Sequence, residues 1–312
     1  MLTIVILNYN GWQDTIECLQ SLRKQTFRDF RVVVADNGSS DDSVVRISEW
    51  AKQNATNAGW LQIMPLDTNY GFAKGNNKAI KAMRNWHAEY YLCLNNDTEM
   101  EPNCLQQMVD YMDCHPEISA ITPAIRLYDQ QELMWNAGGK LVFGGRRYYY
   151  PSQPVSLLDG IDELPITFIT GCALLVRKEL VADGKLFTER FFFGEEDFEF
   201  SLRMQKEDRK MVCLTSAVLY HKVGGSQTQV VSYNKLFIYL LNRLIDLHSY
   251  YSKPKYYLWL TGYLPMIYLH HLRGMGLRER NRFMRLLLHE TRINNGVSKE
   301  LFEKYIVYPF HA

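Results

Sequence analysis

The stretch YYLCLNNDTEMEP, Tyr90–Pro102, changes character within a few residues. Tyr90–Leu94 is a short continuous apolar run of the kind that forms a buried strand, and Asn95, Asn96 and Asp97 follow it at once. A strand does not need two amides and a carboxylate in order to end. We therefore interpret this stretch as a buried strand whose polar end holds functional side chains.

Strands and helices alternate on both sides of this strand. Apolar runs predict further strands at Leu2–Leu7, Phe30–Asp36, 60–66 and 118–125, and helical spacing predicts helices at Trp12–Lys24, 38–53, 71–86 and Asn103–Cys114. Parallel strands require crossover connections, which are usually helices. The pattern therefore predicts an α/β fold with a mostly parallel sheet and helices on both of its faces.

The alternation changes in the second half of the chain. Glycine and proline interrupt Tyr128–Pro165, which predicts a loop and a hairpin, and long irregular segments of this kind are usually functional. A strand at Ile166–Arg177, a helix at 195–207 and a strand at 210–221 follow, and beyond residue 226 the pattern is helical to the end. We expect two domains, an α/β domain at 1–226 and a helical tail at 227–312.

Composition excludes some classes of protein. A net charge of +1 argues against a nucleic-acid-binding protein, and the 47% hydrophobic content is ordinary for a globular chain. The six cysteines lack the spacing of a metal finger, and the opening residues LTIVIL predict a strand rather than a secretory signal. We expect a cytoplasmic protein with reduced thiols.

Polar side chains stand at the ends of three predicted strands. They are Asn8, Tyr9 and Asn10; Asp36, Asn37 and Gly38; and Asn95, Asn96 and Asp97. Each cluster alone also fits a turn, because Asn, Asp and Gly are good turn formers. However, the carboxyl ends of parallel strands meet at one edge of the sheet, where ligands bind. An aspartate facing a diphosphate there can hold Mg²⁺ or Mn²⁺.

A further loop, NYGFAKGNNKAI at Asn69–Ile80, has the composition of a phosphate-side segment. Gly71 permits close backbone approach, Lys74 carries positive charge and Asn76 adds an amide, and the start of a helix favours anions. The segment has no Gly-Lys-Ser/Thr element, and the chain has no GxGxxG fingerprint. We expect a nucleotide-binding loop of another kind.

Eight motifs together resemble a known family. They are VILNYNG, VVVADNGSSDDS, NYGFAKGNN, LNNDT, MWNAGG, FITGCALLVRKE, GEEDFEFSLR and YHKVGGS. Their order is similar to that in the inverting nucleotide-sugar glycosyltransferases of family two, which have the GT-A fold. The most similar branch holds bacterial rhamnosyltransferases that build surface polysaccharides such as O-antigen. The resemblance covers residues 1 to about 226.

The resemblance implies a role for each site residue. Asp97 is the expected metal and diphosphate residue, with Mg²⁺ or Mn²⁺ as cofactor, and Asp197 is the expected catalytic base with Glu196 beside it. His221 is expected either at the metal or as a core histidine. The residues assigned to nucleotide and donor binding are Asn8, Tyr9, Asn10, Asp36, Asn37, Gly71, Lys74, Asn76, Asn95 and Asn96. Asn95 and Asn96 replace carboxylates of other members, so the strictness of metal dependence stays open.

The implied activity is that of an inverting hexosyltransferase. The hypothesis is transfer of rhamnose from dTDP-rhamnose to a hydroxyl of a growing, lipid-linked polysaccharide, and a UDP-sugar donor is the alternative. A sugar nucleotidyltransferase and a non-catalytic carbohydrate-binding or scaffold protein are rivals from other classes. The loop NYNGWQDT lacks the GxGxRxxP pattern of the first rival, and both Asp97 and Asp197 being present argues against the second.

The helical tail suggests where the protein works. Tyr233–Ser249 places its apolar residues on one helical face, and 256–272 is rich in Tyr, Trp and Leu. Seven Lys or Arg residues against one acid lie in Lys253–Arg285. Aromatic and basic flanks predict a segment lying on the inner face of the cytoplasmic membrane. The alternative is that these helices pack on the catalytic domain or on a second subunit.

Overall fold

The computed structural model of the chain describes residues 1–54, 59–223 and 233–310. The strands are β1 (Leu2–Asn8), β2 (Phe30–Asp36), β3 (Leu61–Pro65), β4 (Tyr90–Asn95), β5 (Thr98–Met100), β6 (Ile118–Leu127), β7 (Met134–Asn136), β8 (Gly139–Val142), β9 (Gly145–Tyr148), β10 (Glu163–Ile166), β11 (Ala173–Arg177) and β12 (Lys210–His221). The helices are α1 (Trp12–Arg23), α2 (Ser43–Asn54), α3 (Phe72–Ala82), α4 (Cys104–Cys114), α5 (Glu196–Lys206), α6 (Tyr233–Tyr250), α7 (Lys253–Met266), α8 (Leu277–Ile293) and α9 (Lys299–Ile306).

The first half of the sheet is parallel and has β1 at its centre. Strand β1 pairs in parallel with β2 and with β4, and β2 pairs in parallel with β3. In this register Asn8 lies beside Asp36, and Leu7 lies beside Asn95. The polar ends of three strands therefore meet at one edge, as the sequence predicted.

The second half of the sheet is mixed. Strand β11 runs antiparallel between β4 and β6, and β6 pairs in parallel with β12. The prediction of one strand over Ile166–Arg177 was wrong, because β10 ends at Ile166 and β11 begins at Ala173. Between them the backbone N–H groups of Thr167 and Phe168 donate to the carbonyl of Gly139 on β8, so the chain leaves the sheet to hold the β8–β9 hairpin. That hairpin is the one predicted within Tyr128–Pro165.

Two apolar cores cover the two faces of the sheet, which confirms the α/β class. Alternate residues of β1 point to opposite sides, as a strand requires. Leu2, Ile4 and Ile6 pack with α1, α2 and α4, whereas Val5 packs with α3 and α5.

The C-terminal helices share a third core with the first part of the chain. Phe168, Phe191 and Phe198 are buried against residues of α6, α7, α8 and α9. The predicted boundary near residue 226 lies outside the described residues. The helical character predicted beyond it is present in α6 to α9. Within the described ranges, none of these helices combines the length and the apolar character needed to cross a membrane.

Candidate active site

The ends of β1 and β2 are joined by a buried hydrogen-bond network. Asn8 Nδ2 donates to Asp36 Oδ1 at 2.7 Å, and Thr15 donates to Asn8 Oδ1 at 2.8 Å. Asp36 also accepts from the backbone and the hydroxyl of Ser39. Asn10, with a positive φ, accepts from the backbone N–H of Ser40. The hydrogen bond between Asn8 and Asp36 therefore fixes the shape of this edge of the sheet.

Asn37 fixes the loop that precedes α3. Its amide donates to Asn69 Oδ1 at 3.0 Å and to the carbonyl of Gly71 at 3.2 Å, and it accepts from the backbone N–H of Tyr70 at 3.0 Å. Gly71 has a φ of +78°, and a Cβ there would lie 1.8 Å from the carbonyl oxygen of Phe192. Only glycine fits this position.

The structure places two predicted nucleotide residues away from the strand ends. Asn76 is buried and donates to the carbonyl of Phe72, one turn earlier in its own helix. Lys74 lies over the ring of Tyr70 and lines a separate cavity of about 320 Å³ with residues 189, 191–192 and 297–300. Neither side chain faces the cavity that holds Asp97.

One cavity of about 460 Å³ brings the two predicted catalytic regions together. It is lined by Leu7, Tyr9, Phe72, Asn95, Asn96, Asp97, Arg146, Thr170–Cys172 and Phe193–Asp197. Asp97 and Asp197, which stand one hundred residues apart in the sequence, therefore face the same space. Asn96 also donates to Thr15 at 3.1 Å, which ties this strand end to α1.

Asp97 and His221 form the part of the site that suits a cation. His221 Nε2 lies 3.2 Å from Asp97 Oδ1, and the two side chains are 8% and 18% exposed. Within the described residues, no cluster of three His, Cys, Asp or Glu side chains is placed to hold a metal. One carboxylate and one imidazole fit a Mg²⁺ or Mn²⁺ whose remaining positions go to phosphate oxygens and water.

The segment before α5 positions Glu196 and Asp197. Gly194 and Glu195 both have positive φ, so the chain turns sharply into the helix. Glu196 accepts from the backbone N–H of Gly194 at 2.9 Å, and burial raises the pKa of Glu196 to about 8. Burial also raises the pKa of Asp197, which is 22% exposed, while the guanidinium of Arg146 opposes that rise.

Two arginines balance the negative charge of the segment before α5, and neither of them was predicted from the sequence. Glu195 accepts two hydrogen bonds from Arg243 of α6, at 2.6 and 3.0 Å. Arg146 of β9 lies 3.3 Å from Glu195 and 3.6 Å from Asp197. The sequence did carry one signal, because Arg243 interrupts an apolar helix face between Leu240 and Leu244.

Comparison with known proteins identifies the family. The sequence model of glycosyl transferase family 2 matches residues 3–184, more than half of the chain. The chain belongs to glycosyl transferase family 2.

Similar proteins support the same assignment. N-acetylglucosaminyl-diphospho-decaprenol L-rhamnosyltransferase of Mycobacterium tuberculosis is 24% identical over 270 residues, which are 78% of this chain and 85% of that protein. S. aureus TarS 1–349 in complex with UDP aligns over 93% of this chain and 79% of its own, with a TM-score of 0.59 and 17% identity. The mannosyltransferase PcManGT of Pyrobaculum calidifontis, with GDP-Man and Mn²⁺, covers 94% and 86%, with a TM-score of 0.55 and 14% identity.

The predicted GT-A fold, the family and its rhamnosyltransferase-like branch are thereby confirmed. So is the class of enzyme, a hexosyltransferase. The family match ends at residue 184, ahead of the segment that carries Asp197. The role of each site residue in this glycosyltransferase stays a prediction.

Proposed function

We propose that this glycosyltransferase transfers a sugar, rhamnose from dTDP-rhamnose, to a hydroxyl of a lipid-linked glycan with inversion at the anomeric carbon. The observation that carries the proposal is the single cavity lined by both Asp97 and Asp197. A relative that aligns with most of the chain is named as an L-rhamnosyltransferase with a diphospho-decaprenol acceptor, which supports rhamnose as the sugar and this kind of acceptor.

Asp197 acts as the general base in this proposal. Its carboxylate takes the proton of the acceptor hydroxyl while the acceptor oxygen bonds to the anomeric carbon and the bond from that carbon to the diphosphate breaks. One displacement inverts the anomeric centre. A base positioned in this way contributes about 10²–10⁴-fold to the rate. Glu196, with its pKa of about 8, keeps its proton at neutral pH and adds little charge beside Asp197.

The other end of the cavity binds the nucleoside diphosphate. Asp97 and His221 would hold a Mg²⁺ or Mn²⁺, which supplies Lewis-acid stabilisation of the leaving diphosphate when bound. Tyr9, half exposed at the edge of the cavity, offers a ring for the base. Asp36 and Asn10 shape this edge from the end of β2 and the turn after β1.

The outer face of α7 is proposed to rest on anionic lipid at the inner face of the cytoplasmic membrane. Tyr257 and Leu258 of α7 are 61% and 68% exposed, and Leu269, in the π-helical turn after α7, is 67% exposed. Exposed lysines and arginines flank this face at 253, 255, 273 and 278. Apolar contact together with basic flanks is the combination that holds a helix in a membrane interface.

Membership of family 2 decides against the sugar nucleotidyltransferase and against the non-catalytic scaffold. Structures with this fold have been solved with UDP and with GDP-Man bound, so the nucleotide of the donor is tested directly. The test measures binding and slow hydrolysis of dTDP-rhamnose, UDP-GlcNAc and GDP-mannose, with and without Mn²⁺. We expect dTDP-rhamnose to turn over fastest.

The variant Asp197→Asn should bind dTDP unchanged and lose about 10²–10⁴-fold in transfer rate. Wild-type transfer in this variant would remove Asp197 from the role of base. Preferred turnover of UDP-GlcNAc would replace the donor but keep the mechanism.

A further inference from the structure

We propose that Arg146 is a positioning residue for Asp197, held in place by Glu195 and, through it, by Arg243 of the C-terminal helices. The inference rests on the proposed function in one respect, which is the role of Asp197 as the base. It assigns to the β8–β9 hairpin and to α6 a part in the active site.

Glu195 is the centre of this arrangement. Its carboxylate accepts from Arg243 Nε at 2.6 Å and from Arg243 Nη2 at 3.0 Å, which is the two-point geometry that a guanidinium prefers. Its Oε1 atom also lies 3.3 Å from Arg146 Nη1. One carboxylate thus ties together a hairpin, a helix and the turn into α5.

Arg243 anchors the hairpin as well. It is 1% exposed, stacks on Phe198 with its guanidinium carbon 3.6 Å from the ring centre, and donates to the carbonyl of Gly144 at 2.9 Å. The backbone N–H of Gly144 donates to the hydroxyl of Tyr251 at 2.8 Å. The hairpin that carries Arg146 is therefore fixed from the side of α6 and α7.

Arg146 projects from this anchored hairpin into the catalytic cavity. Its Nη1 atom lies 3.6 Å from Asp197 Oδ1, its Nε donates to Tyr148, and its guanidinium faces Phe168. These contacts fix the direction of the guanidinium. Glu195 and Asp197 both line the cavity and both pair with Arg146, but Asp197 is the more exposed of the two, at 22% against 2%.

We expect the charge of Arg146 to affect the pKa of Asp197. The charged and titratable groups around Asp197 are Arg146 from β9, Tyr148 from the same strand, Glu195 and Glu196 from its own segment, and Arg243 from α6. Burial and Glu195 raise the pKa of Asp197, while Arg146 and Arg243 lower it. A base has to be ionised before it accepts a proton, and the positive charge of Arg146 favours the ionised form of Asp197.

The test compares the pH dependence of kcat in wild type, Arg146→Gln, Arg146→Lys and Arg147→Gln. Arg147 is the matched control, since it is the next residue of β9 and its side chain is exposed. In Arg146→Gln we expect the acid limb to move to higher pH by about one unit, because an opposite charge at this distance shifts a pKa by that order. Arg146→Lys should recover part of the shift, and Arg147→Gln should show none.

A second readout does not depend on turnover. The carboxyl carbon of Asp197 in ¹³C-aspartate-labelled protein, identified by its absence from Asp197→Asn, should titrate at higher pH in Arg146→Gln than in wild type. An equal loss of kcat at every pH, or an unchanged Asp197 titration, overturns the inference. A raised Asp197 pKa with an unmoved acid limb supports the contact and instead overturns the proposed role of Asp197 as base.

The role of Arg243 is tested with the conservative variant Arg243→Lys, which we expect to stay folded. A lysine keeps the positive charge and loses the two-point contact with Glu195. We expect the acid limb to move in the same direction and by less than in Arg146→Gln, with the folded structure kept by circular dichroism. An acid limb that stays in place in a folded Arg243→Lys protein would exclude Arg243 from the arrangement.

Discussion

The contact between His221 Nε2 and Asp97 Oδ1 joins two unequal residues. Asp97 offers a carboxylate, which is the hard oxygen ligand that Mg²⁺ and Mn²⁺ prefer. His221 Nδ1 is buried and has no hydrogen-bond partner among the described residues, whereas a histidine that binds a metal usually donates its other N–H to a partner. We infer that Asp97 would contribute more to the binding of a cation than His221.

Substitutions of Asp97 and of His221 should differ in how much they weaken Mn²⁺ binding. Asp97→Asn should weaken the binding of Mn²⁺ in the presence of dTDP by about tenfold or more, and His221→Gln should weaken it less. The electron paramagnetic resonance signal of free Mn²⁺ measures both, with the exposed Asp42→Asn as control. A greater loss in His221→Gln would reverse the assignment.

The neighbouring residues Asn76 and Asn77 are equally buried but differ in what they hold. Among the described residues, the Asn76 side chain donates within its own helix turn, to the carbonyl of Phe72. Asn77 Nδ2 donates to the carbonyl of Phe187 at 2.9 Å, and Asn77 Oδ1 accepts from the backbone N–H groups of Leu186 and Phe187. Asn77 therefore attaches α3 to the chain that leads into the catalytic segment.

The second prediction follows from that difference. Asn77→Ala leaves three buried backbone groups without their partner and should lower the free energy of unfolding by about 2–3 kcal/mol. Asn76→Ala should lower it by about 1 kcal/mol or less. Urea denaturation of the two variants measures both values, and an equal loss would show that the contact with residues 186–187 adds no stability.

At the scale of elements, the junction between α5 and α6 buries an acid. Asp246 of α6 is fully buried, and its carboxylate oxygens have no hydrogen-bond partner among the described residues, although Arg190 Nη1 lies 3.6 Å away. Burial, and then the charges of Glu199 and Glu195, raise the pKa of Asp246 to about 8. The folded chain therefore keeps a proton that the unfolded chain loses near pH 4.

Because of Asp246, the free energy of unfolding should depend on pH. The stabilising effect of that proton is complete below about pH 4 and is lost as the pH rises toward 8, so the free energy of unfolding should fall over this window. Asp246→Asn should flatten the fall by an amount on the order of 3–4 kcal/mol between pH 5 and pH 8. Denaturation at pH 5, 6.5 and 8 measures the effect, and the exposed Asp129→Asn serves as control. Parallel curves for Asp246→Asn and wild type would contradict it.

Some strands and helices could be predicted from the sequence, and the way they pair could not. The strand ends were predictable because the apolar run and the polar residues after it, as in Tyr90–Asp97, are local in the sequence. The insertion of β11 between β4 and β6 was not predictable, since it depends on pairing between strands more than fifty residues apart in the sequence. Arg146 and Arg243 were missed for the same reason. Their function is visible only where hairpin, helix and catalytic turn meet at Glu195.

At the scale of the whole molecule, the tail packs on the catalytic part with one side and leaves another side of α7 exposed. Its inner side packs on the catalytic part through residues such as Phe237 and Trp259, which are buried in the third core. Trp259 also packs against Gly144 in the hairpin. A Cβ on residue 144 would lie 1.8 Å from Nε1 of Trp259. The outer side of α7 keeps Tyr257, Leu258 and Leu269 exposed. The helix that would meet a lipid surface therefore also contacts the hairpin that carries Arg146.

The fourth prediction concerns that outer side. Replacing Tyr257, Leu258 and Leu269 by serine removes the apolar contact and should reduce binding to anionic vesicles by about tenfold or more. Turnover of dTDP-rhamnose in solution should stay at the wild-type rate, because none of the three lines the catalytic cavity. The control replaces Leu157 and Val307, two exposed apolar residues outside α7, by serine. Unchanged sedimentation with vesicles in the triple variant would contradict the lipid contact, and a dimer that the triple variant dissociates would assign the face to a second copy of the chain.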